Sequence, residues 1–151
     1  MPLRPVIRIN LVGRQRGVLD SLASLIAGEP DLRVLSAPGC DDMSEKPDVV
    51  LFDLDEADDD AVFDHLRELA GTARTIAVSM STGAGVALRV FQAGAVGLVS
   101  KLRPPEQLLM AIRKVHVGEA WLGRAMTGRV LDLARADAGR KGMARNPGAR
   151  H

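Results

Sequence analysis

Apolar residues fall in short runs along this chain, and the runs alternate between a strand-like and a helix-like period. Val6 to Val12 (V-I-R-I-N-L-V) alternates and then runs apolar, which predicts a first strand. Gly13 to Gly17 (G-R-Q-R-G) follows as a loop. Val18, Leu19, Leu22, Leu25 and Ile26 then recur at helical spacing until Gly28 and Pro30 stop the helix. Leu32 to Leu35 is a short second strand. Pro47 opens a third, in which Val49 to Phe52 is an unbroken apolar run ending on Asp53, the pattern of a strand buried on both faces. Val62, Phe63, Leu66 and Leu69 line one side of a helix, and Thr75 to Met80 is a fourth strand ending near Ser79. Gly83 and Gly85 open the next loop, and Val86, Val90 and Phe91 mark a helix that ends at Gly94. Ala95 to Ser100 is a fifth strand, followed directly by Lys101. Pro104, Pro105 and Glu106 start a last helix, with Leu108, Leu109, Ile112 and Val115 inward and Gly118 at its end.

Five strands alternating with helices predict an α/β fold, a doubly wound five-stranded parallel sheet, because crossovers between parallel strands are right-handed. One connection departs from the pattern. Residues 36–46 are few, contain Pro38 and Gly39, and show little apolar periodicity. A crossover helix normally needs about ten residues or more, so this segment predicts a shortened second helix of one or two turns. Such a helix thins the cover over one sheet face near strands one to three. A partner subunit or the tail is expected to cover that face.

Composition adds bounds. A chain of 151 residues suits one domain, and its single Cys40 excludes an internal disulfide. No apolar run approaches 18 residues, so a cytoplasmic protein with no membrane contact is expected. Charge is uneven. Residues 1–122 hold 13 basic and 17 acidic side chains, net −4, whereas residues 123–151 hold 7 and 2, net +5. We therefore divide the chain into a folded body, 1–122, and a basic linker or tail, 123–151, helical over Thr127 to Arg135 and then disordered. The tail lacks the two apolar helices of a helix-turn-helix. DNA is thus expected as a partner only through an output domain outside this chain. Trp121 is expected to pack the linker back on the body.

The candidate chemistry sits at the strand ends. Asp53, Ser79 and Lys101 close strands three, four and five, and in an open parallel sheet those ends meet at the ligand crevice. A carboxylate nucleophile, a hydroxyl and an ammonium together suit a phosphoryl group. His65, His116 and His151 have no metal-ligand spacing with Cys40 and are read as structural or exposed. The acidic run Asp55, Glu56, Asp58, Asp59 and Asp60 is read as a solvated loop that caps the next helix.

With these residues in place, the chain resembles the receiver domain of two-component response regulators over about Val6 to Leu122. D-V-V-L-F-D-L resembles the phosphoacceptor strand, A-V-S-M the strand with the switch hydroxyl, and Q-A-G-A-V-G-L-V-S-K the strand that carries the lysine. The last motif, with P-P-E-Q-L-L-M-A-I and Gly118-Glu119 after it, is most similar to the NarL/LuxR type, whose output domain is a helix-turn-helix. The resemblance implies a flavodoxin-like sheet of strand order 2-1-3-4-5. It makes Asp53 the phosphoacceptor position, Ser79 and Lys101 the phosphate pocket, and Leu98 the switch position where the family has an aromatic residue. It also implies a homodimer through the first or last helix, and a histidine kinase or other signalling protein as partner.

The departures point to an atypical receiver. The family's adjacent acids after the first strand, which hold Mg²⁺, are replaced by Gly13 and Arg14, and Ala57 stands near the family's proline. Magnesium takes oxygen ligands, so no cofactor is expected and metal binding is expected to be weak or lost. Arg14 is expected to reach Asp53 or Asp55 and replace the cation. The chain is accordingly read as a non-enzymatic regulatory and dimerisation module with impaired or absent aspartyl phosphorylation. Two alternatives stand beside it: a stand-alone interaction receiver still phosphorylated at Asp53, and a flavodoxin-like nucleotide binder using the Gly13 to Gly17 loop. The second lacks the third glycine of the dinucleotide fingerprint, since position 19 is Leu19.

Overall fold

A computed structural model describes residues 6–35, 46–54, 60–80, 82–122, 128, 131–136, 138 and 139. The elements are β1 (Ile7–Val12), α1 (Arg16–Ala27), β2 (Leu32–Val34), β3 (Val49–Asp53), α2 (Asp60–Ala70), β4 (Arg74–Ser79), α3 (Ala84–Gln92), β5 (Gly97–Ser100) and α4 (Pro105–His116). All strand pairs are parallel, and the order is β2-β1-β3-β4-β5. Fold class and strand order are those expected. The shortened second helix falls on residues 36–45, outside the described residues, as does the acidic run before Asp60. Residues 131–136 are helical; most of the rest of the tail, including residues 123–127 and 140–151, is outside the description. Gly85 lies inside α3 and not in the preceding loop.

The central strand shows why the pattern was readable. All five residues of β3 are buried, because helices cover both faces of the sheet there. On one face Val49 and Leu51 pack with Leu22 and Ile26 of α1 and Leu108 and Ile112 of α4. On the other, Phe52 and Leu54 pack with Phe63 and Leu66 of α2 and Val90 of α3. Gly94 and Gly118, with φ of +102° and +98°, follow α3 and α4 in the left-handed region that favours glycine.

On the sheet face away from α1 and α4, β1 and β2 carry Arg8, Asn10 and Arg33 beside the apolar Val12, Val50 and Phe52. The short segment expected to thin the cover there, residues 36–45, lies outside the described residues. Arg8 also holds the start of β3. Its backbone N–H and its guanidinium donate to Asp48 at 2.9–3.3 Å. Burial alone would raise the Asp48 pKa, but the bonds from Arg8 outweigh it and hold the carboxyl below its ordinary value of 3.8. A depressed carboxyl adds stability that is present above its unfolded value and lost as pH falls through the folded one. Acid unfolding followed by circular dichroism below about pH 4 should therefore lose less in Asp48→Asn than in wild type. Equal acid sensitivity would refute the assignment.

Two contacts close the body, the first of which sequence did not reveal. Arg113 on α4 donates to Asp31 through Nε and Nη2 and to Glu29 through Nη2, at 2.7–2.9 Å, pinning α4 to the turn after α1. These bonds raise the Arg113 pKa further above its already high ordinary value. Trp121 does pack back on the body, as expected. Its N–H donates to Val96 O at 2.9 Å and its carbonyl accepts from Leu98 N–H at 3.1 Å, so it pairs the outer edge of β5.

Candidate functional site

Register brings the three strand-end residues together. Asp53 is opposite Val78, and Ser79 is opposite Ser100. Lys101 N–H donates to the carbonyl of Ser79 at 2.9 Å, and Leu54 N–H to that of Val78 at 2.8 Å. The carboxyl ends of β3, β4 and β5 are thus level. Asp53 and Ser79 are both buried.

The Lys101 ammonium forms an ion pair with Oδ1 of Asp53, whose side chain is fully buried, while the lysine side chain keeps 18% exposure. This contact is electrostatic. Neither oxygen of Asp53 accepts a directed hydrogen bond among the described residues. Ammonium groups are compact point charges that can approach a carboxylate from many directions, so the pair tolerates that geometry. The lysine is therefore the cation on which the buried carboxylate depends. No ion pair joins Arg14 to Asp53 among the described residues, which corrects the first of its two expected partners; Asp55 is outside the description. Arg14 instead lines a small cleft of about 140 Å³ with Gly13, Asp53, Phe52, Val62 and His65.

Gly13 is the tightest point of the site. A Cβ at this position would lie 2.7 Å from Asp53 Cβ and 3.3 Å from Leu19 Cδ2. The Asp53 side chain and Leu19 of α1 have closed over the space that a side chain at position 13 would need. Neither Gly13 nor Arg14 offers an oxygen side chain to a hard cation. Among the described residues no group of three or more His, Cys, Asp and Glu side chains is placed to hold a metal ion.

Leu98 is buried in the α2/α3 layer, and its backbone N–H is held by Trp121. His65, read from sequence as structural or exposed, borders the Asp53 cleft and meets the Phe52 ring edge-on at 5.4 Å. Its position three residues after Val62, beside the buried stripe of α2, was the available signal. Next to it, Arg89 of α3 ion-pairs with Asp60 at 2.9 Å and stacks over Phe63, joining α2 to α3.

No family model and no curated protein matches the sequence. Solved structures do. A two-component response regulator of the LuxR family from an Aurantimonas species aligns with TM-score 0.65 and 25% identity, over 85% of this chain and 98% of that one. A LuxR family DNA-binding response regulator from Silicibacter pomeroyi aligns with TM-score 0.62 and 19% identity, over 80% and 99%. The response regulator domain of Thermotoga maritima CheB aligns with TM-score 0.62 and 22% identity, over 76% and 98%. With the sheet order and the level strand ends, these likenesses give the chain the fold of a response-regulator receiver domain.

Proposed function

We propose that this chain is an atypical receiver that regulates an output through protein contacts, with Mg²⁺-dependent phosphorylation of Asp53 impaired or lost. The observation that carries this reading is the packing of Gly13 on Asp53, with 2.7 Å left for a Cβ where the family has an acid. Phosphoryl transfer in this class of site relies on a metal to neutralise charge. Here no cofactor is assigned, and the Lys101 pair holds Asp53 in one state. The basic tail supports placement as the N-terminal part of a DNA-binding transcription regulator, and one solved structure of similar fold is a LuxR family DNA-binding response regulator. This chain alone is not expected to read DNA.

Incubation with acetyl phosphate or beryllofluoride and Mg²⁺ tests the reading. The expected result is no stoichiometric modification by mass spectrometry. Full uptake at Asp53, abolished by Asp53→Asn, would overturn it and favour the stand-alone phosphorylated receiver, whose Asp53, Ser79 and Lys101 remain level. We further propose a homodimer through α1 or α4. Met110 and Val117 on and just after α4 are 50% and 70% exposed, which supports an unfilled apolar contact. Light scattering should give a dimer; a strict monomer at high concentration would count against it.

A further inference from the structure

α1 and α4 lie on the same face of the sheet but meet at one end only. At their carboxyl ends Arg113 bridges to Glu29 and Asp31. Towards their amino ends they stand apart, and the gap is a trough of about 840 Å³. Its apolar lining comes from Val18, Leu22 and Leu25 of α1, Leu108 of α4, and Val78 and Val99 of the sheet. The last two are core residues, 3% and 4% exposed, so the trough reaches the sheet itself. This volume is within the range of roughly 300–1,000 Å³ typical of small-molecule sites.

The mouth of the trough is cationic. Lys101 and Arg103 line it, and no acidic residue does among the described residues. Both helices begin there without a side-chain cap, at Gln15 and Pro104. α1 has no acid in its first turn, and Glu106 is the acid in that of α4. The partial positive charge of the α1 amino end is therefore not offset within its own first turn. An apolar trough ending at two cations suits a molecule with an apolar body and one anionic end.

We propose that the trough between α1 and α4 binds a small amphipathic carboxylate, its apolar body over Val78 and Val99 and its head at Arg103 and Lys101. Lys101 has three donor protons, so it can serve such a head while it faces Asp53. It borders both the trough and the Asp53 site, so an occupant of one acts on the cation of the other.

Calorimetric titration of the full chain with octanoate and with 1-octanol tests this. Octanoate should bind saturably at one site, and 1-octanol at least about tenfold more weakly, since a charge-assisted pair is lost. Arg103→Glu should weaken octanoate by about tenfold and leave 1-octanol unchanged. Ser21→Trp fills the trough from an exposed lining position and should abolish binding of both at an unchanged melting temperature. Absence of saturable octanoate binding, equal affinity for the two probes, or binding that survives Ser21→Trp would each overturn the proposal. So would a dimer that Ser21→Trp dissociates without any octanoate binding, which assigns the trough to a second copy. The titration uses unphosphorylated protein, so its outcome is independent of whether Asp53 accepts phosphate.

Discussion

Lys101→Met is expected to be among the most destabilising single substitutions in this chain. Among the described residues it leaves the fully buried Asp53 carboxylate with no ion-pair partner, and neither of its oxygens has a directed hydrogen bond to fall back on. Removing one partner of a buried pair costs about 3–5 kcal/mol, chiefly because the other charge stays buried. For a body of this size that loss corresponds to a fall in melting temperature of about 10 °C or more. Asp53→Asn in the Lys101→Met background removes the stranded charge and should recover most of the loss. The double-mutant cycle by calorimetry is the measurement. If Lys101→Met melts with wild type, or Asp53→Asn restores nothing, the pair does not hold Asp53 as described.

Gly13→Ala should destabilise by about 1–3 kcal/mol, the range for forcing an extra carbon into packed surroundings. Its Cβ would meet Asp53 Cβ at 2.7 Å, and the crowded atom is next to the backbone, not at the end of a flexible chain. Gly17→Ala is the matched control. Nothing lies within 4 Å of that position, and it sits inside α1. Alanine there should stabilise by about 0.5–1 kcal/mol, because glycine loses more backbone entropy in a helix. Urea unfolding of the two variants should therefore move in opposite directions. The same crowding predicts that Gly13→Asp with Arg14→Asp will not create a Mg²⁺ site unless Asp53 moves. Metal binding by that double variant at wild-type stability would show that Gly13 is not the obstacle.

Some of this was legible from residue order and some was not. The five strands and the helices between them follow from period, because burial on one face or on both writes a different pattern into the chain. Asp53, Ser79 and Lys101 were legible for the same reason: each ends an apolar run, and parallel strands share an end. The partner of Asp53 was not. Gly13 and Arg14 follow β1 directly, and by residue type the guanidinium was the natural cation. Lys101 is reached from β5, on the far side of β4. His65 was read as structural or exposed, and it is exposed, but its place beside the Asp53 cleft is not legible because a lone histidine beside an apolar stripe has no pattern of its own.

Residue order alone sets the succession of strands and helices, the buried central strand, and the three polar residues at the carboxyl ends of the strands. That positions 13 and 14 are Gly13 and Arg14, neither of them acidic, is likewise a matter of residue type alone. Packing in three dimensions sets that Asp53 fills the space beside Gly13, that Lys101 pairs with it, and that α1 and α4 part to leave a trough at their amino ends. Those are distances between residues far apart in the chain. Periodicity fixes which face a side chain takes, but only packing fixes which neighbour it meets there.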